Sequence, residues 1–224
     1  MRLINAETGR VIQLFTADEV RPRLGFDLPK LVHHVVSKYG FSSGPTDTAG
    51  LSLSTGLRFE KGRFSAANVG EAAIEDLSLH NDGIIASCAD TDIADRFIDD
   101  VVEWLIESAL IRQPVTEKPR IYTSNLVVEF DLLPKVLLDR IFRLSDKLRE
   151  ALNDQYGWDH PTSLHRLAFS SDPSAIPAHR NTLFAIERRA NIPFHQNWFW
   201  SAAPLPILKH IRLLEAVERE FIDN

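Results

Sequence analysis

The chain has 224 residues, of which 44% are hydrophobic and 25% charged, and its formal net charge is −6. These values are typical of a globular protein and argue against a disordered chain. No apolar run approaches the roughly 20 residues that span a bilayer, and the first residues lack the apolar core of a signal peptide. We therefore expect a cytoplasmic protein that does not enter a membrane.

The sequence has one cysteine, Cys88, so it predicts neither an internal disulfide nor a cysteine-rich zinc site. A small buried thiol is the simplest interpretation of a lone cysteine within a strand, because free cysteines are among the most frequently buried residues. A reactive thiol would need a neighbouring base, and the sequence does not show one beside it.

The negative charge is concentrated in one part of the chain. Between Glu71 and Glu107 there are eleven acids and a single base, Arg96. The acids that we expect on the outer face of a helix in this region are Asp92, Asp95, Asp99, Asp100 and Glu103. Such a face argues against nucleic-acid binding, since phosphate contacts need Lys and Arg. It favours a basic protein partner or a cation, beside the simpler alternative of a solvated helix face.

The spacing of these acids does not predict a metal site. A calcium loop needs a glycine within it and a glutamate at its far end, and neither follows Asp90 and Asp92. Both residues have a simpler use as a helix cap and as partners of the helix dipole.

The N-terminal half predicts strands around one helix. Asp27 and Pro29 can begin the helix and Gly40 can end it. The other predicted elements are short strands at 2–4 and 11–15 around a turn at 7–9, a loop at 42–50, and short strands at 51–53 and 57–59 before a turn at Lys61-Gly62.

The clearest pattern is a hairpin followed by a helix. Two strand-like runs, 73–80 and 84–89, are joined by Asn81-Asp82-Gly83, which is typical of a tight hairpin turn. Asp90 can then cap an amphipathic helix over 92–111.

The second half repeats the passage from strand to helix. Residues 112–119 contain two prolines and predict a linker, and 158–181 are irregular except for a strand-like run at 164–169. The remaining predicted elements are a strand at 120–131, a helix at 134–154, a strand pair at 182–187 and 196–201, and a helix at 205–222.

These elements predict an α+β fold, with a mainly antiparallel sheet and three or four amphipathic helices packed mostly on one face. We expect residues 1–224 to form a single domain. The alternative is two related subdomains that meet near 112–119.

No established catalytic or cofactor motif is present. The glycine patterns of dinucleotide and phosphate-loop sites are absent, as are the Gly-x-Ser-x-Gly elbow and the His-Glu-x-x-His zinc motif. We therefore predict no cofactor, and these absences favour a non-catalytic protein.

One segment combines cations, an imidazole and aromatic rings. Arg188, Arg189 and His195 are the candidates for catalysis. The candidates for a ligand site or an interface are Phe194, Trp198 and Trp200. The two tryptophans share a face on an alternating strand, where a place in the core is the most common use of such residues.

Our leading hypothesis is a cytoplasmic interaction protein, either a homo-oligomer or a subunit of a larger multiprotein assembly. The alternative is a hydrolase or transferase that acts on an anionic substrate, such as a nucleotide, through the Arg/His/Trp cluster. A third hypothesis is single-stranded nucleic-acid binding through the same segment, which the acidic overall charge argues against.

Overall fold

The computed structural model describes residues 1–22, 25–45, 51–66, 70–115, 120–130, 135–157, 164–170 and 183–222. Within these residues the chain forms eight β-strands and five α-helices, an α+β fold. The strands are β1 (Arg2–Leu14), β2 (Leu57–Ala66), β3 (Gly70–Leu79), β4 (Gly83–Cys88), β5 (Ile121–Glu129), β6 (Arg166–Phe169), β7 (Phe184–Arg188) and β8 (Trp198–Ala203). The helices are α1 (Ala17–Val20), α2 (Leu28–Tyr39), α3 (Thr91–Glu107), α4 (Lys135–Tyr156) and α5 (Ile207–Ile222).

The chain divides into two compact units. The expected single domain and the alternative boundary near 112–119 stay predictions. The N-terminal unit comprises Thr8–Ser124, and the C-terminal unit comprises Asn125–Asn224 together with Met1–Glu7. Both β1 and β5 therefore contribute residues to each unit.

The N-terminal unit is built on an antiparallel sheet in the order β2-β3-β4-β1. Its pairing places Phe59, Leu77, Ala86 and Val11 in one row across the four strands. These four residues are buried in one cluster with the apolar faces of α2 and α3. Both long helices of this unit thus share one buried cluster with the sheet. The packing of the helices mostly on one face stays a prediction.

The C-terminal unit has its strands in the order β5-β8-β7-β6, and the β6-β7 and β7-β8 pairs are antiparallel. Its buried cluster joins β5, β7 and β8 to α5 through Leu126, Ile186, Phe199 and Leu214. On α4, Leu148 is 51% exposed, and the side chains before position 145 lie outside the described part of the chain.

The two units share one order of elements. In each, a helix is followed by a three-stranded antiparallel run and then by another helix, as α2-β2-β3-β4-α3 and as α4-β6-β7-β8-α5. In each, the last strand of the run lies beside a strand that precedes the first helix, β1 or β5. The sequence contains no exact repeat, so this likeness is one of topology.

Several predicted elements are confirmed. The Asp27 side chain accepts a hydrogen bond from the Lys30 N–H and begins α2, while Gly40 ends it in a left-handed conformation. Asp90 caps α3 by accepting from the Asp92 N–H at 2.8 Å. The β3–β4 hairpin and the strand β5 are also present where the pattern predicts them.

Two predicted turns are wrong. Residues 7–9 do not turn, because Gly9 pairs with Cys88 and β1 continues from Arg2 to Leu14. Gly62 likewise continues β2 and pairs with Ile74. Steric crowding, rather than a turn, explains the glycine at position 62, since a Cβ atom there would lie 2.4 Å from the ring of Phe41. The strand predicted at 51–53 is also wrong, because residues 53–55 form a turn.

Candidate functional site

The acids that the sequence places on one helix face differ in their surroundings on α3. Asp92 is exposed in the first turn, and Asp95, Asp99 and Asp100 are bound by side chains of the same unit. Glu103 is exposed, and within the described chain it has neither a hydrogen-bond nor an ion-pair partner. Side chains of the same unit therefore neutralise part of the negative charge of this helix face.

Arg120, just before β5, binds the first part of that face. Its Nη1 atom lies 2.8 Å from Asp95 Oδ1, its Nη2 atom pairs with Asp99, and its Nε atom donates to Gln13 Oε1 at 2.9 Å. Partial burial acts to lower the pKa of Arg120, but the hydrogen bonds to Asp99 and Asp95 raise it overall. The guanidinium is thus held rigidly beside α3.

Two tyrosines bind the same helix. The Oη atom of Tyr122 donates to Asp95 Oδ2 at 2.9 Å, and burial, followed by that hydrogen bond, raises the pKa of Tyr122 to about 12. Tyr39 donates to Asp100 Oδ2 at 2.7 Å, and Lys38 Nζ lies 2.9 Å from the same oxygen. Burial and the neighbouring carboxylate raise the pKa of Tyr39. Both phenols therefore stay protonated donors at neutral pH.

A cleft with a volume of about 740 Å³ lies beside the last turns of α3, and we call it the α3 cleft. Phe15, Val102 and Ile106 form its apolar part. Its charged part consists of Asp99, Glu103 and Glu107 with the single base Arg120. Its volume lies within the range of about 300–1,000 Å³ that is usual for ligand pockets.

The three carboxylates of the α3 cleft stand in one row. Residues four apart on a helix are neighbours, so Asp99, Glu103 and Glu107 line one edge of α3. Asp99 is matched by Arg120, whereas Glu103 and Glu107 are exposed and have no partner among the described residues. The cleft therefore combines an apolar floor with two unmatched negative charges, a surface that suits a ligand with both cationic and apolar groups.

Sequence reasoning identified Asp99 and Glu103 but missed the rest of this cleft. Glu107 continues their spacing by one helical turn, so the pattern contained a signal for it. Arg120 and Phe15 lie outside α3, and no local pattern predicts that they contact this helix.

The segment with arginines and aromatics does not gather its predicted residues around one cavity among the described residues. Arg188 is only 7% exposed, while Arg189 is directed to Glu7, with Nη1 and Oε1 2.8 Å apart. His195 lies exposed in a single 3-10 turn at Phe194–Gln196. No described nucleophile or carboxylate contacts it, so this geometry assembles no acid-base pair around His195.

The aromatic candidates occupy different surroundings. Trp198 and Trp200 share one face of β8 and are partly buried, whereas Phe199 on the opposite face is in the core. Phe194 is 47% exposed, and its ring centroid lies 4.8 Å from Cζ of Arg188. The tryptophans are thus less buried than the core placement that we considered most common for such residues.

A buried pair that the sequence analysis missed joins β8 to α5. The Ser201 hydroxyl donates to the Ala185 carbonyl at 2.8 Å, so the His210 Nε2–H donates to Ser201 Oγ at 2.9 Å. Both side chains are fully buried, and burial lowers the pKa of His210 to about 4. Because no substrate can reach Ser201, this neutral pair holds the two elements together.

The described residues contain no group of three or more His, Cys, Asp or Glu side chains arranged to bind a metal ion. None of the described helices combines the length and the apolar character that crossing a membrane requires. Comparison of the chain with protein-family models, with curated proteins and with solved structures gives no match. A function must therefore be inferred from the geometry.

Proposed function

We propose that the protein is a cytoplasmic interaction module that binds a basic, partly apolar segment of a protein partner in the α3 cleft. The observation that carries this proposal is the pair of exposed, unmatched carboxylates, Glu103 and Glu107, above an apolar floor. A segment with Lys or Arg beside Leu-like residues complements both parts of that surface.

The distribution of partners along α3 supports this choice of surface. Asp95, Asp99 and Asp100 are bound within the unit, so their charges are not available in full to another molecule. Glu103 and Glu107 lie four residues apart, and like charges at this spacing repel each other. A cationic partner relieves that repulsion, and the apolar groups beside it cover Val102 and Ile106.

The exposure of the two glutamates favours a protein segment over a small, fully enclosed cation. Exposed carboxylates keep much of their hydration and attract over a distance that salt controls. Such charges mainly set partner choice and association rate, while the buried apolar contact supplies affinity. Nucleic acid does not fit, since its phosphates would meet the same carboxylates.

The first test measures the binding of a labelled peptide of alternating Lys and Leu by fluorescence anisotropy. The comparison peptide has Glu in place of each Lys. We expect the basic peptide to bind more tightly, and this preference to shrink as the Debye length falls from about 30 Å at 0.01 M salt to about 3 Å at 1 M. The double variant Glu103→Gln/Glu107→Gln should bind the basic peptide about 2- to 30-fold more weakly, since each of the two exposed ion pairs contributes about 0.2–1 kcal/mol.

The matched control is Glu71→Gln/Glu75→Gln on β3. It changes the net charge equally, also at a spacing of four residues, and neither residue lines the α3 cleft. Binding of the basic peptide should be unchanged in this control. An equal loss in both double variants would mean that the peptide responds to total charge, and the proposed site would then be wrong.

Self-association is the other form of interaction that the sequence allows. Light scattering of the same wild-type and variant proteins separates the two forms. A monomer that binds the basic peptide supports the proposal, whereas an oligomer that Glu103→Gln/Glu107→Gln dissociates would make a second copy of the chain the occupant of the α3 cleft.

A further inference from the structure

Arg188, at the end of β7, is a buried cation without a counter-charge among the described residues. Its side chain is 7% exposed, yet no described carboxylate lies within ion-pair distance of it. Its neighbour Arg189 differs in this respect, because it is more exposed and pairs with Glu7. A buried charge is stable only when it is paired and hydrogen-bonded, so Arg188 is an exception that calls for a partner.

The guanidinium of Arg188 has an unused edge. Its Nη1 atom donates to the Phe194 carbonyl at a long 3.4 Å, and its buried Nε–H has no acceptor among the described residues. Nε and Nη2 together form the side-on fork of an arginine, and within the described chain neither has an acceptor. This fork matches the two oxygens of a carboxylate or of a phosphate group.

Two aromatic rings surround the same guanidinium. The ring centroids of Phe194 and Phe199 lie 4.8 Å and 5.0 Å from Cζ of Arg188. Cation–π contacts stabilise the charge but accept no hydrogen bond from Nε in the guanidinium plane. The rings also exclude water, which strengthens the attraction of the guanidinium for an anion. Burial lowers the pKa of Arg188, as expected for a cation without a nearby carboxylate.

The connection between β7 and β8 contains a second orphan group. Asn197 Oδ1 is buried and has no donor in the described part of the chain, and its residue adopts a left-handed conformation with φ 52°. Phe194, in the same connection, is half exposed and lies over the guanidinium, so it marks the side from which solvent reaches the site. This orphan is an acceptor and needs a donor, so of the two orphan groups only the Arg188 guanidinium calls for an anion.

We propose that the Nε–Nη2 edge of Arg188 is the binding site of an oxyanion, the carboxylate or phosphate group of a small ligand. This site is built from residues of the C-terminal unit alone, and it does not depend on the α3 cleft. The ligand oxygens accept from Nε–H and Nη2–H, while Phe194 and Phe199 line the site.

The test is an NMR titration of the arginine Nε–H signals of the full chain. Sodium formate and inorganic phosphate are added separately, and sodium chloride at matched ionic strength is the reference. We expect the Arg188 signal to shift and saturate with at least one of the two oxyanions. Saturation with formate indicates a carboxylate ligand, and saturation with phosphate indicates a phosphate ligand. The Arg189 signal, from a half-exposed ion pair, should follow the chloride reference.

Two variants test whether the guanidinium of Arg188 itself binds the oxyanion. Arg188→Lys keeps the charge but loses the fork, so it should weaken the oxyanion affinity at least tenfold, whereas Arg189→Lys should leave it unchanged. A linear Arg188 shift equal to that in chloride, or equal responses of Arg188 and Arg189, would overturn the proposal. The wild-type titration alone decides between these outcomes if Arg188→Lys does not fold.

Discussion

The Oη atom of Tyr39, at the end of α2, donates a 2.7 Å hydrogen bond to Oδ2 of Asp100 in the middle of α3. Lys38 binds the same carboxylate oxygen at 2.9 Å. Asp100 thereby joins the two long helices of the N-terminal unit, and its charge is used within the fold. The acids left for a partner are those further along α3, beside the cleft.

The substitution Tyr39→Phe should destabilise the N-terminal unit by about 1–3 kcal/mol, because it leaves a carboxylate without one of its donors while keeping the ring in the core. Urea denaturation followed by far-UV circular dichroism measures this change. The substitution Lys38→Met removes a more exposed ion pair to the same oxygen and should change stability by less than about 1 kcal/mol. Equal effects of the two substitutions would show that the Tyr39–Asp100 hydrogen bond contributes no more to stability than an exposed ion pair.

The buried His210 predicts a pH dependence of stability in the C-terminal unit. Its pKa is lowered by burial to about 4, whereas an unfolded histidine titrates near 6.5. Between these values the unfolded chain binds a proton that the folded chain does not, so the free energy of unfolding falls as the pH decreases from 6.5 to 4. The stabilisation is fully present above pH 6.5, and roughly 3 kcal/mol of it is lost by pH 4.

The variant His210→Gln separates this effect from the titration of other groups. The variant lacks the imidazole, so its free energy of unfolding should fall less between pH 6.5 and pH 4. Over this window the wild-type free energy of unfolding should fall by roughly 3 kcal/mol more than that of the variant. Urea midpoints at a series of pH values supply the measurement. Parallel pH profiles for the two proteins would show that His210 is already accessible to protons in the folded state.

We expect a side chain larger than glycine at position 62 to cause a steric clash, although the sequence pattern indicates a turn there. A Cβ atom at this position would lie 2.4 Å from the ring of Phe41, so Gly62→Ala should destabilise the protein by about 1–3 kcal/mol. The same change should matter less in a Phe41→Leu background, where the flat ring is gone, and thermal unfolding of the four proteins in this double-mutant cycle tests it. An unchanged penalty in that background would assign the effect to the backbone instead.

Local patterns were sufficient for three helix termini. Asp27, Gly40 and Asp90 act through hydrogen bonds or backbone angles within a few residues of themselves, and the structure confirms all three. The sequence pattern predicts turns at Gly9 and Gly62, because glycine is a common turn residue. Their actual places are fixed by Cys88 and Phe41, which are distant in sequence, and periodicity does not report such contacts.

In the candidate sites, too, the sequence pattern does not report contacts between residues that are distant in sequence. The helical spacing on α3 indicated Asp99 and Glu103, but the partner of Asp99 is Arg120, which a separate element supplies. The signal for His210 was present and overlooked, since it stands between Ile207 and Leu214 on the apolar face of α5. The burial of Arg188 had no local signal at all, because its strand position alone does not show which face the core covers.

Reversal of charge in the α3 cleft tests the central proposal most directly. The variant Glu103→Lys/Glu107→Lys is compared with wild type and with Glu71→Lys/Glu75→Lys for binding of the Lys-Leu peptide and of the Glu-Leu peptide. We predict that only the cleft variant inverts its preference and binds the Glu-Leu peptide more tightly, because the two unmatched charges select the partner. An unchanged preference in the cleft variant, or the same inversion in the β3 variant, would contradict a binding site at Glu103 and Glu107.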